Sequence, residues 1–100
     1  MFKKVCLRRR NFINFTEKNA LTVNDAVANR ILRLLREKGM SQYKLEQLSG
    51  IQHGSMQCIM NGRNKTVTLS TVLMLARGFQ MSPDEFLNDE IFRSDNLEID

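Results

Sequence analysis

Apolar positions recur every three to four residues over residues 23–38, where Val27, Ile31, Leu34 and Leu35 form one stripe. That spacing predicts an amphipathic helix, because side chains three and four apart share a helical face. Asn24 is placed to cap it, Asp25 suits its positive end, Arg36 and Lys38 suit its negative end, and Gly39 stops it. Arg30 and Arg33 are expected on the exposed side. The next apolar marks are shorter spaced and broken at Gly50. Ser41 offers a hydroxyl to the free amides of a helix starting at Gln42, Gly50 supplies a left-handed stop, and a second helix starts near Gln52. Two helices crossing at roughly 90–120° would bury Leu45, Ile51, Met56 and Ile59 between them. Further on, Thr68 caps a helix running to Arg77, with Leu69, Val72, Leu73 and Ala76 inward and Gly78 as its stop, after which Phe79 turns inward. Ser82, Pro83, Asp84 and Glu85 make a capping box with proline at the first helical position, and Phe86 and Leu87 close the core. No stretch of this body alternates with period two. The expected fold class is all-α, with five helices joined by short turns.

The chemistry concentrates in residues 41–62, SQYKLEQLSGIQHGSMQCIMNG, which read as a helix-turn-helix. Opposite its buried positions lie Gln52, His53, Gly54, Gln57 and Cys58. This outward row is polar and short, as base edges in a major groove require of the side chains that pair with their donors and acceptors. Glutamine can contact adenine through two hydrogen bonds, and each good pair contributes on the order of 1–3 kcal/mol of discrimination. Gly54 lets the helix approach closely, while weakening it by about 1 kcal/mol relative to Ala. Cys58, at the edge of the row, either touches a thymine methyl group or is a half-buried small residue. His53 either contacts DNA or is an ordinary exposed side chain; catalysis or metal ligation lacks partners.

The same segment resembles the lambda repressor and Cro family of five-helix DNA-binding domains, the XRE family. The likeness runs over residues 23–87 and covers the motif, the following loop NGRNK, the helix TLSTVLMLARGF and the closing SPDEFL. Two positions depart from the family pattern. Glu46 stands where alanine is common, so a carboxylate at this site needs a rim position or a partner, and Ser49 stands where an apolar residue is frequent. The resemblance implies that Ser41, Gln42 and Tyr43 clamp one phosphate where helix amides and a glutamine converge. Ser55 can add another contact. On the far side, Arg63, Asn64 and Lys65 are candidates for the opposite strand, against the plainer reading of NGRNK as a solvated loop whose Asn61 and Gly62 simply make a turn.

Charge divides the chain further. Residues 1–20 carry six basic groups and one acid, residues 21–88 eight basic groups and five acids, and residues 89–100 five acids against Arg93 alone. The expected organisation is a basic arm, a DNA-binding body and an acidic tail, and a polyanion attracts the first two and repels the third. Within the arm, residues 5–15 fit a strand or a helix equally; a strand would pair with Leu97, Glu98 and Ile99 or with a second subunit, and plain disorder fits as well. No apolar run approaches the roughly 18–20 residues needed to span a bilayer, and MFKKVCLRRRNF lacks the longer apolar core of a secretory signal. A cytoplasmic location is expected, with Cys6 and Cys58 as free thiols; neither a zinc site, a disulfide framework nor any cofactor is expected. No Ser-His-Asp set, carboxylate pair or phosphate-cradling loop can be assembled, so an enzyme is not expected.

These observations and the resemblance together imply a sequence-specific transcriptional regulator of double-stranded DNA. A repressor is the expected type, and the family resemblance implies binding to a palindromic operator as a homodimer, in keeping with the limited surface that one small module buries. The dimer would use the helix from Pro83 with Ile91 and Phe92, or the arm. The competing class is a protein-interaction module on the same scaffold, such as the antitoxin of a toxin-antitoxin pair. Its acidic end would then fold on a partner through Ile91, Phe92, Leu97 and Ile99. RNA binding through the arm is disfavoured by the scarcity of aromatic stacking groups.

Overall fold

A computed structural model describes residues 21–93 and residues 97 and 98. The short strand β1 (Leu21–Thr22) leads into α1 (Val23–Lys38), followed by α2 (Gln42–Ser49), α3 (His53–Met60), α4 (Leu69–Gly78) and α5 (Pro83–Leu87). A 3-10 turn at Glu90–Arg93 and the strand β2 (Leu97–Glu98) complete the described chain. The strands pair in parallel, Leu21 with Leu97 and Thr22 with Glu98. Residues 97 and 98 thus do form a strand, but on the root of the arm; the arm's own residues, and Ile99, lie outside the described residues.

The core is a single cluster drawn from every helix, including Ile31, Leu45, Met56, Leu75, Phe79 and Phe86. The Phe79 and Phe86 rings stack with centroids 6.3 Å apart, and Phe92 tilts onto Phe86 at 6.2 Å. Such pairs add about 0.5–1.5 kcal/mol beyond burial. The helix α2 approaches α4 closely because both carry small residues at the crossing. A Cβ on Gly78 would lie 2.8 Å from the Ser49 Cβ and 2.9 Å from Leu45 Cδ1. Ser49 is therefore buried at a contact too tight for a larger apolar residue, and its hydroxyl accepts the Ile51 amide at 3.2 Å.

Five sequence expectations are corrected here. Thr22, not Asn24, caps α1: its hydroxyl accepts the Asp25 amide at 3.0 Å while the Asp25 carboxylate accepts the Thr22 amide, a reciprocal box worth about 1 kcal/mol. Asn24 is instead fully buried, donating its side-chain amide to the Ile59 carbonyl at 2.9 Å and its backbone N–H to the Lys65 carbonyl at 3.0 Å. Arg30 is not on the exposed side; it donates to the Phe86 carbonyl at 2.8 Å, the Glu85 carbonyl at 3.0 Å and the Asp89 carboxylate at 3.3 Å. Those carbonyls belong to the last turn of α5, where the Glu85 carbonyl also accepts the Asn88 amide at 3.2 Å. In α4 the buried stripe is Val72, Leu75 and Ala76, while Leu69 and Leu73 are 69% and 41% exposed. Finally, Gly78 does not stop α4. Phe79 takes the C-cap position, Gln80 adopts the positive φ of 60°, and Gly78 serves the close crossing instead. Leu87 also remains partly exposed, leaving Phe86 to close the core.

Candidate nucleic-acid interface

The two helices of the motif meet at a turn that only one residue type accommodates easily. Gly50 adopts φ 80°, ψ 5°, a left-handed conformation that costs other residues steric strain, and its amide donates to the Glu46 carbonyl. Ile51 then turns inward, and Gln52 takes an extended conformation as the N-cap of α3. The Gln52 side chain makes no capping hydrogen bond, so its amide is left for an external partner. Met56 and Ile59 bury the inner side of α3, and Gln52, His53, Gly54, Ser55 and Gln57 stand exposed on the outer side, with Cys58 partly buried at the edge. Gly54 has open space around the position a Cβ would take, so its lack of a side chain is not required by packing within the chain.

Around this row, Ser41 caps α2 by accepting the Lys44 amide at 3.0 Å, and Tyr43 is 70% exposed beside it. Gln42 is only partly exposed, because its side-chain amide donates to the Glu46 carboxylate at 3.1 Å. Beyond α3, Arg63, Asn64 and Lys65 are all exposed, and the loop they occupy is tied down from behind by the Asn24 hydrogen bond to the Lys65 carbonyl. Thr68 then caps α4 by accepting the Thr71 amide at 3.1 Å. The amino ends of α2 and α4 thereby bracket the loop and the outer row in sequence, each with the positive end of its helix dipole.

A polar relay joins residues from both helices of the motif. Gln42 donates to Glu46 Oε2, His53 Nδ1 lies 2.9 Å from the same oxygen, and Gln57 Nε2 lies 3.3 Å from His53 Nε2. Gln42 and His53, in that order of effect, hold the Glu46 carboxyl below its ordinary value of 4.5, so it stays ionised. Glu46 itself is nearly buried, with its charge met by these two donors. The sequence flagged Glu46 as needing a partner but not which one; the signal that points to it is Gln42 four residues earlier on the same face, and the second partner becomes evident only once the crossing of α2 and α3 is known.

Among the described residues no three His, Cys, Asp or Glu side chains gather as a metal ion would require, and no helix is long and apolar enough to cross a membrane. Five helices with a glycine-turned helix pair and an exposed polar ridge define a helix-turn-helix domain. Residues 30–90 match the family model of the Cro/C1-type HTH DNA-binding domain, and the chain belongs to this family. No curated protein and no solved structure gave a significant match.

Proposed function

We propose that this protein is a cytoplasmic, sequence-specific transcriptional repressor whose α3 lies in the major groove of a palindromic operator, two copies binding together. The observation that carries the reading is the outer row of α3: Gln52, His53, Gly54 and Gln57 are exposed and polar on a helix whose other side is buried core. Gln52, His53, Gly54, Gln57 and Cys58 are the proposed base contacts, and Ser41, Gln42, Tyr43, Ser55, Arg63, Asn64 and Lys65 the proposed phosphate contacts. Residues 21–88 form the proposed DNA-binding unit, with the basic arm of residues 1–20 adding attraction for the duplex. A surface for pairing two copies is offered by a shallow depression beside α4 and α5, lined by Leu73, Ala76, Met81 and Pro83 together with Arg77 and Gln80, where Leu73 is exposed. Phe92 packs on Phe86, which removes one anchor from the alternative of a tail that folds on a protein partner and equally from the dimer surface expected at Ile91 and Phe92.

Selection of bound sequences from random duplex DNA at near-physiological salt tests the proposal, and the expected result is a palindromic consensus. Replacing Gln52 and Gln57 by Ala is expected to erase the preference among sequences while leaving weak, salt-sensitive binding. Replacing Arg63 and Lys65 should instead weaken all sequences alike and flatten the salt dependence by about one unit of slope per lost phosphate contact. Failure of any sequence to be enriched would sink the regulator reading, and a non-symmetric consensus would remove the dimer.

A further inference from the structure

Glu46 occupies the interface of α2 and α3 and is nearly buried, so it does not stand in the outer row itself. Its oxygen accepts from His53, and His53 in turn touches Gln57, a proposed base contact. We propose that Glu46 is a positioning residue for base recognition: it fixes which nitrogen of His53 carries the hydrogen, and thereby which way the Gln57 amide faces the DNA. The inference rests on the reading of α3 as the base-contacting helix.

A carboxylate only accepts hydrogen bonds, so the ring nitrogen facing Glu46, Nδ1, must be the one that carries hydrogen. In the neutral ring, Nε2 then holds a lone pair and accepts. Gln57 satisfies it with one of its two amide hydrogens, its Nε2 lying 3.3 Å from His53 Nε2. What Gln57 has left to offer is one N–H and its carbonyl oxygen. A donor beside an acceptor is the pattern that matches adenine, whose N7 accepts and whose N6 amino group donates. Without Glu46 the ring is free to carry its hydrogen on Nε2, which becomes a donor. The Gln57 amide then turns its oxygen to the ring and presents only N–H groups outward, a pattern suited to the N7 and O6 acceptors of guanine. The Glu46 charge itself stays covered by Gln42 and His53.

The test combines a spectroscopic readout with base selection on the full chain at about pH 8, where an ordinary imidazole is neutral. His53 is the only histidine, so its two ring nitrogens are read without ambiguity by 15N-1H correlation spectroscopy. The wild type is expected in the Nδ1–H form, E46A in the Nε2–H form, and E46Q back in the Nδ1–H form, because a glutamine carbonyl also accepts. Selection with Gln57→Ala first identifies the operator position that Gln57 reads. At that position the wild type and E46Q should prefer adenine, and E46A should lose the preference over guanine by about tenfold or more while other positions hold. A wild-type ring in the Nε2–H form, or an E46A protein that selects the same base, would overturn the proposal while leaving the DNA reading intact. A wild type that enriches no sequence at all overturns both.

Discussion

Gly54 and Gly78 are both helical glycines, yet replacing each with alanine should shift stability in opposite directions. At Gly54 an added methyl group meets open space, so only the helix propensity changes and the protein should gain about 1 kcal/mol. At Gly78 the same methyl meets the Ser49 Cβ at 2.8 Å and its Cα at 3.2 Å. Backbone cannot rotate away, and about 1–3 kcal/mol of overpacking outweighs the propensity gain. Thermal unfolding of the two variants checks both signs, and G54A should also lose DNA affinity if α3 seats closely in the groove. Glu46 makes a prediction about acid. Its folded-state pKa is lowered, so its contribution to stability is present above the ordinary value of 4.5 and is lost as pH falls through the lower folded value. The Asp84 carboxyl is likewise held down, chiefly by the Ser82 hydroxyl at the start of α5. Stability measured from pH 6 to pH 2 should therefore fall less steeply in E46Q than in the wild type, and a parallel pair of curves would show that Glu46 is not linked to folding.

At the scale of elements, caps and periodicity carried much of the fold. The start of α5 was legible because serine, proline and glutamate each satisfy a different need of a helix beginning, and the left-handed stop at Gly50 was legible because few residues accept it. The orientation of α4 was not. Its sequence, LSTVLMLARG, offers two overlapping stripes, and a helix apolar on most sides is turned by whatever it packs against. The close crossing with α2 at Gly78 selects Leu75 over Leu73. Arg30 and Asn24 depart from the local pattern for a related reason: both serve carbonyls at chain positions more than thirty residues away, which no local pattern announces. At the proposed interface the exposed row followed from the motif's spacing, whereas the relay through Glu46 required the two helices to be set against each other. Replacing Leu75 by Ala should cost about 2–5 kcal/mol by leaving a cavity. Leu73→Ala should change monomer stability by no more than about 0.5 kcal/mol and instead weaken self-association, as sedimentation equilibrium would detect.

Across the whole molecule, the acidic end is built into the body more than its composition suggests. Asp89 is nearly buried and pairs with both Arg30 and Arg33, so α1 holds the chain just after α5. Phe92 extends the aromatic stack, and β2 brings the chain back to β1. Removing residues 89–100 should thus lower the stability by at least about 2 kcal/mol, read as a lower urea midpoint, through the lost ring contact and the charged hydrogen bonds. An unchanged midpoint would mean that this segment only decorates the surface.

The hydrogen bonds of Asn24 couple parts of the chain that are far apart in sequence. Thr22 stands two residues before Asn24, within about 7 Å along the backbone, and Asn24 grips the carbonyls of Ile59 and Lys65. Since Glu98 lies beside Thr22, β1 and β2 meet at one corner of the described body, and Asn24 joins that corner to the carboxyl end of α3. Asn24→Ala, which removes the bond to the Ile59 carbonyl, is therefore expected to loosen the carboxyl end of α3 and the corner where β1 meets β2 together, seen as faster amide hydrogen exchange at both.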